Sequence, residues 1–127
     1  MKPLPLLAAL LILGCAGAPA QNNQIAAPPA ADAEQQAIMD RIERDVRLPG
    51  EAGALSSYAR SYAWHQDKDG SRTVVGYYEN LLRNPPGRRW VTEQDFPGIA
   101  DGGCGVIRLT WNVAAQRIEQ ISCNGYA

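Results

Sequence analysis

The pattern of hydrophobic and polar positions predicts one amphipathic helix ahead of a series of strands. Ile38, Ile42 and Val46 recur every four residues, which is the spacing of a single buried helix face. Asp32 precedes this segment and has a glutamine three residues after it, as in a capping box at a helix N-terminus. Pro49-Gly50 provides the stop signal. The helix is therefore predicted to begin after Asp32 and to end at this pair.

The remainder of the chain has the alternation and turn signals of short strands. An Asp-Lys-Asp-Gly turn separates two strand-like segments, and an Asn-Pro-Pro-Gly loop precedes a third. The predicted strands are 57–64, 73–78, 88–93 and two more on either side of 112–116. The predicted fold is an α+β domain in which one N-terminal helix packs on a small antiparallel meander sheet of about five strands.

The first predicted strand carries small residues on one face and large residues on the other. Its small residues invite close packing of the helix, which leaves the large side to another layer or to solvent. An exposed face of Tyr, Trp and Arg has the composition of a protein-binding hot spot or a platform for stacking sugars. Core packing is the competing explanation, since the chain has only one Phe. The predicted binding face consists of Tyr58, Arg60, Tyr62 and Trp64.

The last two predicted strands are expected to form a hairpin that a disulfide closes. If Trp111 faces Gln116 across a four-residue loop, the antiparallel register places Cys104 opposite Cys123. Facing residues have Cα atoms about 4.5 or 5.5 Å apart, which is within the range for a disulfide. The sequence therefore predicts a Cys104–Cys123 bond.

The hairpin register itself has more than one solution. The register above also places Arg108 opposite Glu119. Ile118 and Ile121 are separated by three positions rather than two, which indicates a bulge in the last strand. A slip of one or two residues would make the two cysteines diagonal neighbours.

Length and composition limit the chain to one small globular domain with appendages. It has 127 residues, of which 46% are hydrophobic and 20% charged, and its formal net charge is −1. A charge so close to zero gives no electrostatic footprint for nucleic acid or for an anionic membrane surface. No nucleic-acid partner and no cofactor are therefore predicted.

The N-terminus has the features of an export signal. A basic start, Met1-Lys2, precedes an apolar run that is too short to be a permanent membrane span. The run ends in Ile-Leu-Gly followed by Cys15, which resembles the lipobox of bacterial lipoproteins, although a small residue is commoner where Leu13 stands. The resemblance implies lipidation of Cys15 as the new N-terminus. Alternatively, Ala18-Pro19-Ala20 matches an ordinary signal-peptidase site, and the mature chain would then begin after it.

The number of cysteines favours the lipobox. Lipidation would use Cys15 and leave two cysteines that can form a disulfide in an exported chain. The predicted segments are a signal peptide over 1–14 (alternatively 1–20), a flexible Ala/Pro/Gln/Asn tether over 15–31, and the α+β domain over 32–127. The residue after Cys15 is not the aspartate that such lipoproteins use for inner-membrane retention. The resemblance therefore implies an outer-membrane anchor facing the periplasm, whereas the alternative implies a soluble periplasmic or secreted protein.

Catalytic and metal sites have weak support in the sequence. Cys104 as a nucleophile would have to stay reduced, which conflicts with an oxidised hairpin in an exported protein. The Asp67-x-Asp69 turn lacks the further ligands of a calcium loop, and a single histidine with paired cysteines cannot supply an ordinary zinc site.

Two functions follow from these observations. The first is a non-catalytic envelope protein that binds another envelope protein or a glycan through the aromatic and arginine face. The second is a small periplasmic hydrolase that uses its only histidine, His65, with Glu93, Asp95 or Asp101 as the acid–base partner. The first is preferred, because no acid–base pair stands out in the spacing.

Overall fold

The computed structural model describes residues 29–81 and 84–125 as one α-helix and a five-stranded sheet. The helix is α1 (Ala33–Asp45), and the strands are β1 (Ala59–Gln66), β2 (Arg72–Glu79), β3 (Gly87–Trp90), β4 (Val106–Asn112) and β5 (Arg117–Cys123). The predicted α+β fold is confirmed. The predicted signal peptide, Cys15 and most of the predicted tether lie outside the described residues.

The helix begins where the capping box predicts. The Asp32 carboxylate accepts a hydrogen bond from the Gln35 backbone at 2.8 Å, and the Gln35 side chain accepts one from the Asp32 backbone at 2.9 Å. At the other end, α1 stops earlier than predicted. Val46 is already extended, with φ −64° and ψ 136°, so regular helix geometry ends before the Pro-Gly pair.

The sheet is mixed, with strand order β3-β1-β2-β4-β5. Three neighbouring pairs are antiparallel, as in a meander, whereas β3 lies parallel to β1. After β2 the chain therefore crosses back to the far side of β1, and Gly87 begins its pairing beside Ala59. The short β3 and the longer β5 form the two edges of the sheet.

The helix packs on the large side of β1, and this corrects the prediction that it would pack on the small side. Tyr58 and Tyr62 are fully buried in the same cluster as Ile38 and Ile42 of α1. The small side is buried as well, since Ala59 and Ala63 are at most 1% exposed. Alternation therefore identified the two faces of β1 but not which element covers each one.

The second face of the sheet is covered in part by the loop that follows β3. Phe96 stacks on Tyr77 with ring centroids 5.5 Å apart, and Ile99 packs with Val106 in the same cluster. The Gly- and Pro-rich segment after β3 is therefore a structured loop that packs on the sheet. The loop gives the small domain a second apolar cluster, on the face of the sheet opposite the helix.

The predicted disulfide is present, but the predicted register is wrong. Cys123 pairs in the sheet with Ile107, while Cys104 precedes β4 in a short 3₁₀ turn. Gly102 and Gly103 adopt φ values of 107° and 52° there, which favour glycine. This turn folds the chain back so that the two cysteine Cα atoms are 4.5 Å apart.

The bulge indicated by the isoleucine spacing is present and accounts for one position of the register shift, whereas the other two positions arise at the turn, where Trp111 faces Ile118 and not Gln116. Thr110 pairs with Gln120 and Trp111 pairs with Ile118, which leaves Glu119 as the extra residue of β5. Arg108 consequently lies opposite Ser122 rather than Glu119.

We expect the Cys104→Ser/Cys123→Ser double variant to lose about 3 kcal/mol of unfolding free energy. The two cysteines are 19 positions apart, so their bond removes much loop-closure entropy from the unfolded chain. Urea unfolding followed by far-UV circular dichroism measures the loss. Reductant should lower the midpoint of the wild type and leave that of the variant unchanged. Equal midpoints for the two proteins without reductant would contradict the expectation.

Candidate functional site

Two members of the predicted binding face are core residues. Tyr58 and Tyr62 both have 0% exposure, so neither ring is available to a partner. Arg60 is nearly buried, with 11% of its side chain exposed. Trp64, like Arg60, is only partly exposed. The predicted face is therefore wrong as a continuous surface.

The buried side of β1 carries a polar network that joins the helix to the sheet. The Glu43 carboxylate accepts hydrogen bonds from Arg60 Nε at 2.7 Å and from the Tyr62 hydroxyl at 3.0 Å. The Tyr62 hydroxyl lies 2.7 Å from that of Tyr78, and both rings are fully buried. Burial raises the pKa of both tyrosines well above the ordinary value, so both hydroxyls remain protonated and able to donate.

Trp64 belongs instead to an aromatic pair beside the first turn of the helix. Its ring centroid lies 5.0 Å from that of Trp90, with the planes at 60°. The parallel pairing of β1 with β3 produces this contact, because it places Trp90 directly beside Tyr62. The Arg72 guanidinium lies 4.0 Å over the Trp64 ring and forms an ion pair with Glu34 at 3.1 Å.

The two indoles line an open cleft of about 560 Å³, which we call the Trp64–Trp90 cleft. Its volume is within the range of small-ligand sites. The apolar wall also includes Pro29, Ala30 and Val91. The polar rim consists of Asp32, Gln35, Thr92, Glu93, Gln94 and Asp95. The cleft thus lies between the start of α1, the end of β1 and the loop after β3.

The rim of the cleft is acidic. Three carboxylates line it, whereas no Lys or Arg is among its lining residues in the described parts of the chain. Hydrogen bonds from the side chain and the backbone of Thr92, at 2.7 and 3.0 Å, lower the pKa of Asp95. Asp95 therefore stays ionised at neutral pH.

His65 lies next to Trp64 along β1 and points to the opposite face of the sheet. Its Nδ1 contacts the Glu93 carboxylate, and its Nε2 lies 3.5 Å from Asp67. Asp95, a second predicted acid, is bonded to Thr92 instead. A histidine with a carboxylate at each nitrogen has no ring nitrogen directed at a nucleophile or substrate, so this geometry does not favour general base catalysis.

The third predicted acid, Asp101, lies in the loop that leads to the disulfide. Its backbone carbonyl accepts a hydrogen bond from the Asn124 side chain at 2.8 Å. Cys104 is bonded to Cys123, so its sulfur is not a free thiol. Within residues 29–81 and 84–125, no group of three His, Cys, Asp or Glu side chains is arranged to hold a metal ion.

The sequence prediction missed three contributions to the cleft. Trp90 was one of several strand aromatics, but the parallel β1–β3 contact that brings it to Trp64 has no local signal. Gln35 was identified only as a helix cap, and Arg72 only as one of many arginines among the aromatic residues. The sequence predicted a face of aromatic residues and arginines, whereas the cleft combines two indoles with an acidic rim.

Comparisons with protein-family models, with curated proteins and with solved structures found no match to this chain. Of the helices in the described residues, none combines the length and apolar character needed to cross a membrane. Any function must therefore be argued from the residues of the chain itself.

We expect Tyr62→Phe to lower the unfolding free energy by about 2 kcal/mol, because it deletes a buried hydroxyl that bonds to a charged group. Tyr77→Phe is the matched control. The Tyr77 hydroxyl is buried and has no hydrogen-bond partner among the described residues, so its removal should change the free energy by less than about 0.5 kcal/mol. Urea titrations of both variants make the comparison, and equal losses would be inconsistent with this role for the network.

Proposed function

We propose that this chain is a non-catalytic binding protein of the bacterial cell envelope, held at the outer membrane by lipid on Cys15. The proposed binding site is the Trp64–Trp90 cleft, and the proposed partner is another envelope component. The observation that carries the binding proposal is the pair of partly exposed indoles that line a concave site. Concave aromatic walls with a few polar groups are the usual form of ligand sites.

The anchor proposal has separate support. The Ile-Leu-Gly-Cys segment resembles a lipobox, and the Cys104–Cys123 bond is typical of proteins from oxidising compartments. Pro29 and Ala30 line the cleft, so the predicted tether would leave the domain beside its binding site. A tether of that kind lets the site reach partners near the membrane surface.

A hydrolase that uses His65 is the competing proposal. The contact of Nδ1 with Glu93 resembles the way a carboxylate orients a catalytic histidine. Against it, Nε2 faces Asp67, and a catalytic histidine would need that nitrogen for the substrate or nucleophile. The two proposals separate experimentally, because His65→Ala should abolish a hydrolase activity, whereas Trp90→Ala should weaken binding at the cleft.

The anchor is tested by the intact mass of the protein purified from its native membrane fraction. We expect a chain that begins at Cys15 and carries a diacyl or triacyl mass. The Cys15→Ser variant should leave the membrane fraction. A mature chain without lipid that begins at Gln21 would contradict the anchor and would make the protein soluble in the periplasm or secreted.

The binding site is tested by sedimentation of the protein with isolated cell-envelope fragments. We expect Trp90→Ala to raise the dissociation constant at least about tenfold, which corresponds to about 1.4 kcal/mol, because buried tryptophans dominate binding sites. Leu81→Ala is the control, since Leu81 is 40% exposed and does not line the cleft.

Gln94→Ala provides a second cleft variant with little risk to folding, because Gln94 is exposed on the rim. It should also weaken sedimentation, and the thermal midpoint of each variant checks that the fold is retained. Equal binding of the wild type, Trp90→Ala and Gln94→Ala would overturn the proposed site.

A further inference from the structure

We infer that the occupant of the Trp64–Trp90 cleft is an uncharged sugar chain built of equatorially substituted pyranose units. This inference rests on the proposed function, because it names the ligand class of the same site. It depends on the ring surface, on the hydrogen-bonding groups of the rim, and on the charge of the cleft.

The ring surface suits a pyranose. The Trp64 and Trp90 planes meet at 60° with centroids 5.0 Å apart, so the pair offers ring surface in two directions. An equatorially substituted pyranose has axial C–H groups on both of its faces. These groups are weakly positive and pack against the negative face of an indole, whereas its hydroxyls point outward from the ring.

The rim suits hydroxyl groups. Asp32 uses one carboxylate oxygen to cap α1, and Asp95 uses one to accept from Thr92, so each has a second oxygen able to accept. Gln35 uses its carbonyl oxygen in the capping box, and its amide nitrogen is a donor. A sugar hydroxyl donates and accepts at once, and therefore fits a rim that alternates acceptors with amide donors.

The charge of the cleft selects against anionic ligands. Asp32, Glu93 and Asp95 line it without a cationic side chain among the described lining residues, so phosphate, sulfate or uronate groups would be repelled. A cationic peptide would be attracted by the same three carboxylates, and it is therefore one of the outcomes of the test below. The Arg72 guanidinium already lies over one face of the Trp64 ring, so that face is closed to any ligand.

The size of the cleft also favours a sugar chain over a folded protein. A volume of about 560 Å³ is within the range of small-ligand sites. A stable protein partner would need about 800 Å² of surface on each side. A short stretch of a polysaccharide can enter the cleft while the rest of the polymer stays in solvent.

The test uses the three tryptophan indole N–H signals in the ¹H–¹⁵N spectrum of the full exported chain. Trp111 is an internal reference, because it is 4% exposed and does not line the cleft. The probes are β-1,4-linked tetrasaccharides of glucose and of N-acetylglucosamine, a sulfated form of the glucose tetrasaccharide, and a lysine-rich peptide. We expect the uncharged sugars to shift Trp64 and Trp90 saturably and to leave Trp111 unmoved. The sulfated form should bind at least about tenfold more weakly.

Two variants test whether the rim of the cleft contributes to the affinity for the sugar. Gln94→Ala should weaken the uncharged tetrasaccharide about three- to tenfold, whereas Leu81→Ala should leave its affinity unchanged. Equal affinity for the sulfated and the uncharged tetrasaccharide would overturn the inference, because the charge argument would then be wrong.

Two outcomes separate this inference from the proposed function. The uncharged sugars could leave the Trp64 and Trp90 indole signals unchanged while the Trp90→Ala variant still fails to sediment with envelope fragments. In that case the proposed sugar class is wrong and the proposed binding site stands. A response to the lysine-rich peptide alone would lead to the same conclusion. If no probe shifts the indoles and Trp90→Ala sediments like the wild type, both proposals fail.

Discussion

The carboxylate of Glu43 fixes the position of the helix on the sheet, and most of the architecture depends on this contact. It receives hydrogen bonds from Arg60 and Tyr62 on the buried side of β1, and Arg88 on β3 lies 3.7 Å away. A mostly buried carboxylate is costly without such donors, so these hydrogen bonds favour the observed placement of α1 on the sheet. That placement covers Tyr58 and Tyr62 and stops short of Trp64. The cleft lies beside Trp64 because the helix begins there.

Much of the fold could be predicted from local patterns. The capping box at Asp32, the helix face, the first hairpin and the disulfide pairing all depend on residues close in sequence or on cysteine counting. The face of β1 that the helix covers depends on a side-chain network across distant elements, and alternation alone carries no such information. The last hairpin is shifted by two positions at its turn and by one more at the bulge of Glu119, so Arg108 faces Ser122, while the 3₁₀ turn over Gly103–Gly105 still brings the two cysteines together.

The candidate site was harder to predict than the fold, because its parts come from three separate stretches of chain. Trp64 was chosen for its strand position and does line the cleft, whereas Tyr58 and Tyr62, chosen by the same rule, are core residues. The parallel β1–β3 contact supplies Trp90, and a parallel pairing leaves no hairpin signal in the sequence. Aromatic composition therefore indicated which residue types form the candidate site, and the pairing of the strands decided which rings remain accessible.

The two edges of the sheet have a consequence for the behaviour of the protein at high local concentration. The proposed lipid anchor would confine the protein to a surface, where exposed strand edges of neighbouring copies would meet often and could add to one another. Here β3 has only the four residues Gly87–Trp90 and carries two arginines, while β5 is bent by the bulge at Glu119 and has a charge at Arg117. Short, charged and bulged edges are poor templates for a further strand. The same irregularity that shifted the hairpin register thus helps to keep crowded copies from aggregating.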